Sequence, residues 1–334
     1  MPSQNNMKIL CSLETAAEAS LTSNESGTPS SETSATSRNS DSSSNHSCTT
    51  TSTSVTISRT EENVIGQRWE IVRKVKDVVG ELSDNYALKI ESRKQVKEKL
   101  LRLELTVLKR LQGSKHACEL FGCGYHQSSK SNPCAYIVMT LVGPDLLALR
   151  HTSPYNCFSV STAIRIAVQC LDAVESIHSI GFLHRDIKPS NFSIGLNLNR
   201  RNIFILDFGM ARSFIDSNTG RLRPKRYEVG FRGTQRYAST NMCYQREMSR
   251  ADDLWSLFYV VVELIAGRLP WRKADGRRQN RRLRESTSIN TILGNGICPA
   301  ELYRFEIALK RLNFKVIERL FSSTSNQNTS QRKD

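Results

Sequence analysis

The chain has 334 residues, with 47 Lys+Arg against 32 Asp+Glu and a formal net charge of +15. No apolar run reaches the roughly 18 residues of a membrane-crossing helix. The nine cysteines are scattered with no C-x-x-C pair, which argues against a disulfide framework and a zinc site. The first residues carry too short an apolar stretch for a signal peptide. An intracellular protein, cytoplasmic and/or nuclear and not inserted in a membrane, is expected, acting as a monomer. The charge leaves three partner classes open: nucleic acid, an acidic membrane surface, or acidic protein.

In chain order, residues 1–60 form a tail in which about half the residues are Ser or Thr. Such a composition buries too little apolar surface to offset chain entropy, so the tail is expected to be disordered. Segments Gln67–Val75 and Asn85–Glu91 read as strands, the second placing Tyr86, Leu88 and Ile90 on one face. Arg93–Leu111 is helical, with Val96, Leu100, Leu103, Val107 and Leu111 recurring at intervals of three and four. Cys134–Leu141 suits an inner strand. Ser161–Ser179 carries a helical stripe ended by Gly181, Asn202–Leu206 is a short strand, and Leu254–Ala266 is a helix apolar almost all round. Ala300–Phe321 again places Leu302, Phe305, Leu309, Leu312, Val316 and Leu320 on one face. Strands first and helices later predict an α+β chain: a small sheet-rich lobe over 66–142, a larger helical lobe over 143–324, and a second tail over 325–334.

The chemistry concentrates in HRDIKPSN, His184 to Asn191. Transfer of a phosphoryl group needs one residue to orient the accepting hydroxyl and another to hold a metal on a fixed loop. The H-R-D-x-x-x-x-N spacing offers Asp186 for the first and Asn191 for the second, with Lys188 in reach of the phosphoryl as a point charge. After a further 16 residues comes Asp207-Phe208-Gly209, following an apolar strand. A carboxylate there is placed to hold magnesium between phosphates.

This pair of motifs resembles the eukaryotic protein kinases, and the resemblance implies a bilobal fold, ATP and Mg²⁺ as cofactors, and Ser/Thr specificity. Tyr86-Ala87-Leu88-Lys89 matches the strand whose lysine holds the α/β-phosphates, and Glu104 on the next helix is the candidate partner of Lys89. By the same resemblance Met139 is the gatekeeper, the backbone at Thr140 and Val142 reads adenine, and Asp253 braces the catalytic loop that begins with His184 and Arg185. GFRGTQRYASTN (Gly230–Asn241) carries Ser239-Thr240-Asn241 where most kinases have A-P-E. With GFLHRDIKPSNF and DDLWSLFYVVVELIAGRLPWR, it resembles the casein kinase 1 group and most closely its tau-tubulin branch. Thr234, Arg232 and Arg236 fall in the substrate-facing loop.

One stretch departs from that pattern. Where kinases place a Gly-rich loop over the phosphates, Lys76 to Asn85 holds the single Gly80 and is short for two strands and a turn. A raised KM for ATP is expected. The adopted reading is an active kinase under a shortened phosphate loop; the alternative is a catalytically impaired kinase-like scaffold. The end of the large lobe is likewise trimmed after Trp271.

Between Arg221 and Arg284 lie 16 Lys or Arg and 6 Asp or Glu, so most of the excess charge is local. Arg221, Arg223, Lys225, Arg226, Arg232 and Arg236 are expected on the substrate side, where guanidinium groups bind acidic or phosphorylated protein. Arg272–Arg284 reads as a solvated basic face. A nucleic-acid-binding protein is the remote alternative, disfavoured because aromatics are only 7% and do not interleave with the Arg run.

Overall fold

The computed structural model describes residues 7–12, 64–65, 69–74, 86–92, 98–127, 133–227, 229–274, 276–293 and 299–310. The small lobe contains β1 (Met7–Ser12), β2 (Val64–Ile65), β3 (Trp69–Lys74), β4 (Tyr86–Ser92), helix α1 (Glu98–Arg110), β5 (Leu120–His126) and β6 (Cys134–Thr140). Its strands form one sheet in the order β2-β3-β1-β4-β6-β5. Strands β4, β6 and β5 are antiparallel, with Leu88 opposite Val138 and Lys89 opposite Ile137. Leu88 and Val138 are both fully buried, so this register is set by the face that packs against α1. On α1, Leu101, Val107 and Leu108 turn inward, and Leu111 follows them.

Strand β1 overturns part of an expectation. The first sixty residues read as a disordered tail, yet Met7–Ser12 lies inside the sheet, parallel to both β3 and β4. An average over a Ser/Thr-rich segment hides Met7-Lys8-Ile9-Leu10-Cys11, four apolar residues around one lysine, which suits a slot that supplies backbone partners on both sides. Residues 75–85, the expected shortened phosphate loop, lie outside the described residues, as does the helix beyond Lys310.

The large lobe runs through α2 (Leu146–Thr152), α3 (Val160–Ser179), β7 (Phe182–Leu183), β8 (Phe192–Ile194), β9 (Ile203–Ile205), β10 (Arg212–Ser213), α4 (Thr240–Cys243), α5 (Arg250–Ala266), α6 (Gly276–Ser286), α7 (Ile289–Leu293) and α8 (Ala300–Lys310). Two small antiparallel pairs, β7–β10 and β8–β9, flank the His184–Asn191 and Asp207–Gly209 motifs. Helix α5 starts four residues earlier than its apolar run suggests. Asp252 accepts from the Ser249 N–H at 2.7 Å, and Gly267 ends the helix at φ 75°. Its residues Leu254, Leu257, Val260, Val261 and Leu264 are buried, making it the central post of the lobe. Helix α3 packs on one side of it, and on another Phe305 of α8 meets Phe258 edge-on at 5.7 Å. The basic run after Trp271 is also more than a solvated face. It forms α6, and Arg284 is buried with its guanidinium 4.8 Å from the Trp271 ring and 5.0 Å from that of Tyr259. None of the helices among the described residues is long and apolar enough to cross a membrane.

Candidate active site

The loop from His184 to Asn191 leaves β7 and enters β8, and its shape is enforced from below by Asp253 in the first turn of α5. The fully buried Asp253 carboxylate accepts the backbone N–H groups of His184 at 2.8 Å and Arg185 at 2.9 Å, and lies 2.9 Å from His178 Nε2. Burial pushes this carboxyl up, but His178, His184 and the backbone N–H outweigh it and hold it below the usual range. Those contacts also keep Arg185 at φ 67°, a left-handed conformation that a side chain with a Cβ adopts only when its surroundings compel it. His184 Nε2 lies 3.0 Å from the Leu206 carbonyl, and its ring stands edge-on to Phe208 at 5.8 Å. The two motifs are therefore locked together.

Above them opens a cleft of about 810 Å³ lined by Ala87, Lys89, Glu104, Met139, Thr140, Val142, Asn191 and Asp207, among others. Lys89 Nζ lies 2.9 Å from Glu104 Oε2 and 3.4 Å from Asp207 Oδ1. One ammonium thus ties the sheet, α1 and the Asp207 turn into a single constellation. Asp207 sits at φ 60°, and Gly209 N–H donates to its Oδ1 at 3.3 Å. Burial raises this carboxyl while Lys89, His184, Gly209 and Lys188 lower it more, so it is held ionised. Thr140 N–H donates to the Glu119 carbonyl at 3.0 Å. Beyond it, Gly143 N–H donates to the Ile194 carbonyl at 2.7 Å and pins the chain crossing between lobes.

At the mouth of the cleft, Asp186 has a different partner on each oxygen. Lys188 Nζ lies 2.8 Å from Oδ2, and Thr234 Oγ1 donates to Oδ1 at 2.7 Å. Asn191 Nδ2 donates to the Asp186 carbonyl at 2.9 Å. A second depression, of about 510 Å³, runs from Lys188 and Thr234 past Arg236 and Arg272 to Asn280.

The residues of 72–332 match the protein kinase domain family. The chain belongs to the protein kinase family. It is 37% identical over 263 residues to a protein of Dictyostelium discoideum provisionally named a serine/threonine-protein kinase, covering 76% of this chain and 51% of the relative. A serine/threonine-protein kinase of Caenorhabditis elegans is 33% identical over 228 residues, covering 66% of this chain and 59% of the relative. Another protein of that organism, provisionally named a casein kinase I, is 36% identical over 193 residues, or 57% of this chain and 55% of the relative. The chain spans between half and two thirds of the length of these relatives.

A protein kinase domain uses ATP and a divalent metal, and the donor set suits both. Asp207 offers a carboxylate, and Asn191, with its amide nitrogen committed to the Asp186 carbonyl, offers its side-chain oxygen. Hard divalent ions take such oxygens, completing their shells with phosphate and water rather than with a dense protein cluster. Among the described residues there is no group of three His, Cys, Asp or Glu that could hold a metal alone.

The kinase fold thus brings Lys89, Glu104, Asp186, Lys188, Asn191 and Asp207 together, with Met139, Thr140 and Val142 at the back and rim of the cleft. Thr234 reaches Asp186, and Arg236 lines the second depression, its Nη1 lying 3.8 Å from the buried Glu263. The other arginines of the loop before Thr234 do not act alike. Arg232 is exposed, whereas Arg226 pairs with Glu247 at 2.6 Å. Sequence reading missed Glu247, and it missed Tyr237, whose hydroxyl donates to Glu263 at 2.5 Å. It also missed Arg284, which donates to the carbonyls of Gln235 and Arg236 at 2.6 and 2.8 Å. These contacts span 21 to 49 positions, and no local spacing announces them.

Proposed function

We propose that the chain is a serine/threonine-protein kinase that transfers the γ-phosphoryl of Mg-ATP to protein hydroxyls near acidic or phosphorylated residues. The observation that carries this is the Lys89 ammonium held 2.9 Å from Glu104 and 3.4 Å from Asp207, at the back of a cleft whose mouth holds Asp186. Lys89 would hold the α/β-phosphates, with Glu104 keeping it extended. Asp207 and Asn191 would hold Mg²⁺, which when bound neutralises phosphate charge. Asp186 accepts the hydrogen bond of the incoming hydroxyl and takes its proton. Lys188, beside it, offsets negative charge on the phosphoryl oxygens. Thr234 fixes the carboxylate plane of Asp186.

The preference for acidic or phosphorylated protein rests on the depression carrying Arg236 and Arg272 next to Lys188. Ser239-Thr240-Asn241, together with the relative provisionally named a casein kinase I, supports placement in the casein kinase 1 group and, by the motifs quoted above, its tau-tubulin branch. A monomer acting inside the cell, cytoplasmic and/or nuclear, completes the proposal. The free cysteines, among them the buried Cys118 and Cys170, suit a reducing compartment.

The test is transfer of radiolabelled phosphate from ATP to an acidic protein substrate, comparing wild type with Asp186→Ala and Asp207→Ala. The wild type should be faster than either by at least about 100-fold. Equal rates in all three would remove the kinase reading.

A further inference from the structure

The substrate-facing loop carries a dense positive charge, and two of the guanidinium groups in and beside it meet on a carboxylate outside the catalytic motifs. Glu247 lies between α4 and α5 with its side chain 14% exposed. Its Oε1 is 3.2 Å from Arg212 Nε in β10, and its Oε2 is 2.6 Å from Arg226 Nε. Arg226 adds a second guanidinium contact, Nη2 to Oε1 at 3.1 Å, and its backbone N–H lies 3.4 Å from Oε2. The fork geometry is that of a bidentate guanidinium–carboxylate pair. β10 is in turn paired with β7, Arg212 opposite Leu183, immediately before the catalytic loop. A single carboxylate therefore joins the strand after Asp207-Phe208-Gly209, the loop leading to Thr234, and the turn into α5.

The surrounding charge explains why a carboxylate is needed there. Burial and the neighbouring Arg212 and Arg226 push the Arg185 guanidinium down to about 10, with Arg232 adding to the repulsion. Arg185 itself is directed elsewhere, donating to the carbonyls of Met210 at 2.7 Å and Ala211 at 3.4 Å. Arg212 feels Arg226 and Arg223 as well. Five guanidinium groups thus share a small region, and without a counter-charge their repulsion drives the loop away from β10.

We propose that Glu247 is a positioning residue: an internal anion that holds the substrate-facing loop, and with it Thr234, against the catalytic loop. The proposal rests on the kinase reading above. Its signature is that a soluble anion can replace the missing charge. In Glu247→Gln the side chain keeps its shape and loses its charge. The KM for an acidic peptide should rise about tenfold while the KM for ATP stays within about twofold. Inorganic sulfate should recover most of that loss relative to chloride at matched ionic strength, and the wild type should gain nothing from it.

A merely structural brace would not respond to the anion. Wild-type kinetics in Glu247→Gln, or a loss that sulfate does not recover, would overturn the proposal. Thermal melting supplies a readout independent of catalysis: sulfate should raise the melting temperature of Glu247→Gln and not that of the wild type. If the kinase reading itself failed, with wild type no faster than Asp186→Ala, that melting comparison would still decide the matter for Glu247. Should Glu247→Gln not fold, Arg226→Gln takes its place, since this side chain is 41% exposed. It should raise the peptide KM without any recovery by sulfate, and an unchanged peptide KM would equally overturn the idea.

Discussion

Lys89 of β4 and Glu104 of α1 form an ion pair of 2.9 Å between two elements that reach one another only when the helix packs on the sheet. Both side chains are largely buried, at 14% and 5% exposure, so the pair is little weakened by solvent. Lys89→Met leaves the Glu104 charge unpartnered by its ammonium, and Glu104→Gln leaves Lys89 nearer to Asp207 alone. Breaking a buried pair from one side costs about 3–5 kcal/mol. Lys89→Met should lose at least about 100-fold in kcat/KM for ATP. Glu104→Gln should lose less, with the same direction. Steady-state kinetics at varied ATP, beside thermal melting, separates the catalytic from the stability effect.

Asp253 should govern the acid limit of stability. Its carboxyl is held below the usual range in the folded chain, so its stabilisation is present in full above the unfolded value of about 4 and is lost as pH falls through the depressed folded value. Asp253→Asn removes the charge and one of the two oxygens that accept from His184 and Arg185 N–H and should destabilise by about 2–4 kcal/mol near neutrality. Below about pH 4 the variant and wild type should converge. Denaturant unfolding across pH reads this directly, and parallel curves down to acid pH would contradict it.

The 2.7 Å hydrogen bond from Thr234 to Asp186 should appear in turnover rather than in nucleotide affinity. One such bond is worth about 1 kcal/mol, or roughly five- to tenfold in rate. Thr234→Ala should lower kcat by that factor and leave the KM for ATP unchanged, and Thr234→Ser should restore it. A serine variant as slow as the alanine variant would mean that the methyl, not the hydroxyl, matters.

Removal of residues 1–12 should weaken the small lobe. Strand β1 lies between β3 and β4, and Ser12 stands opposite Lys89 in the register. Without it both neighbours lose a ladder of backbone partners, each net hydrogen bond contributing about 0.5–1.5 kcal/mol. The melting temperature should fall by at least about 5 °C and the KM for ATP should rise. A peptide of sequence MKILCS added in trans should recover part of both. An unchanged melting curve would show that the sheet does not depend on this segment.

The legibility of the molecule followed the range of its interactions. Helices α3 and α5 were readable because their stripes lie within one turn of themselves, and HRDIKPSN and Asp207-Phe208-Gly209 because short spacing on a loop fixes the chemistry. Strand β1 was not, since a six-residue segment with four apolar residues is ambiguous until a neighbouring slot with unpaired backbone is known. Helix α6 was obscured by its charge: a row of arginines reads as solvated unless Trp271 and Tyr259 are known to stand where Arg284 points.

By itself, the sequence determined the α+β class, the HRDIKPSN and Asp207-Phe208-Gly209 motifs, and the concentration of most of the +15 charge between Arg221 and Arg284. Tertiary structure alone decided which arginines are available to a partner and which are tied down. Arg226 is held by Glu247, Arg284 lies against two aromatic rings, and Arg232 is exposed. The physical reason is that net charge is a sum over residues, whereas a guanidinium's availability depends on carboxylates, carbonyls and aromatic faces brought to it from distant positions in the chain.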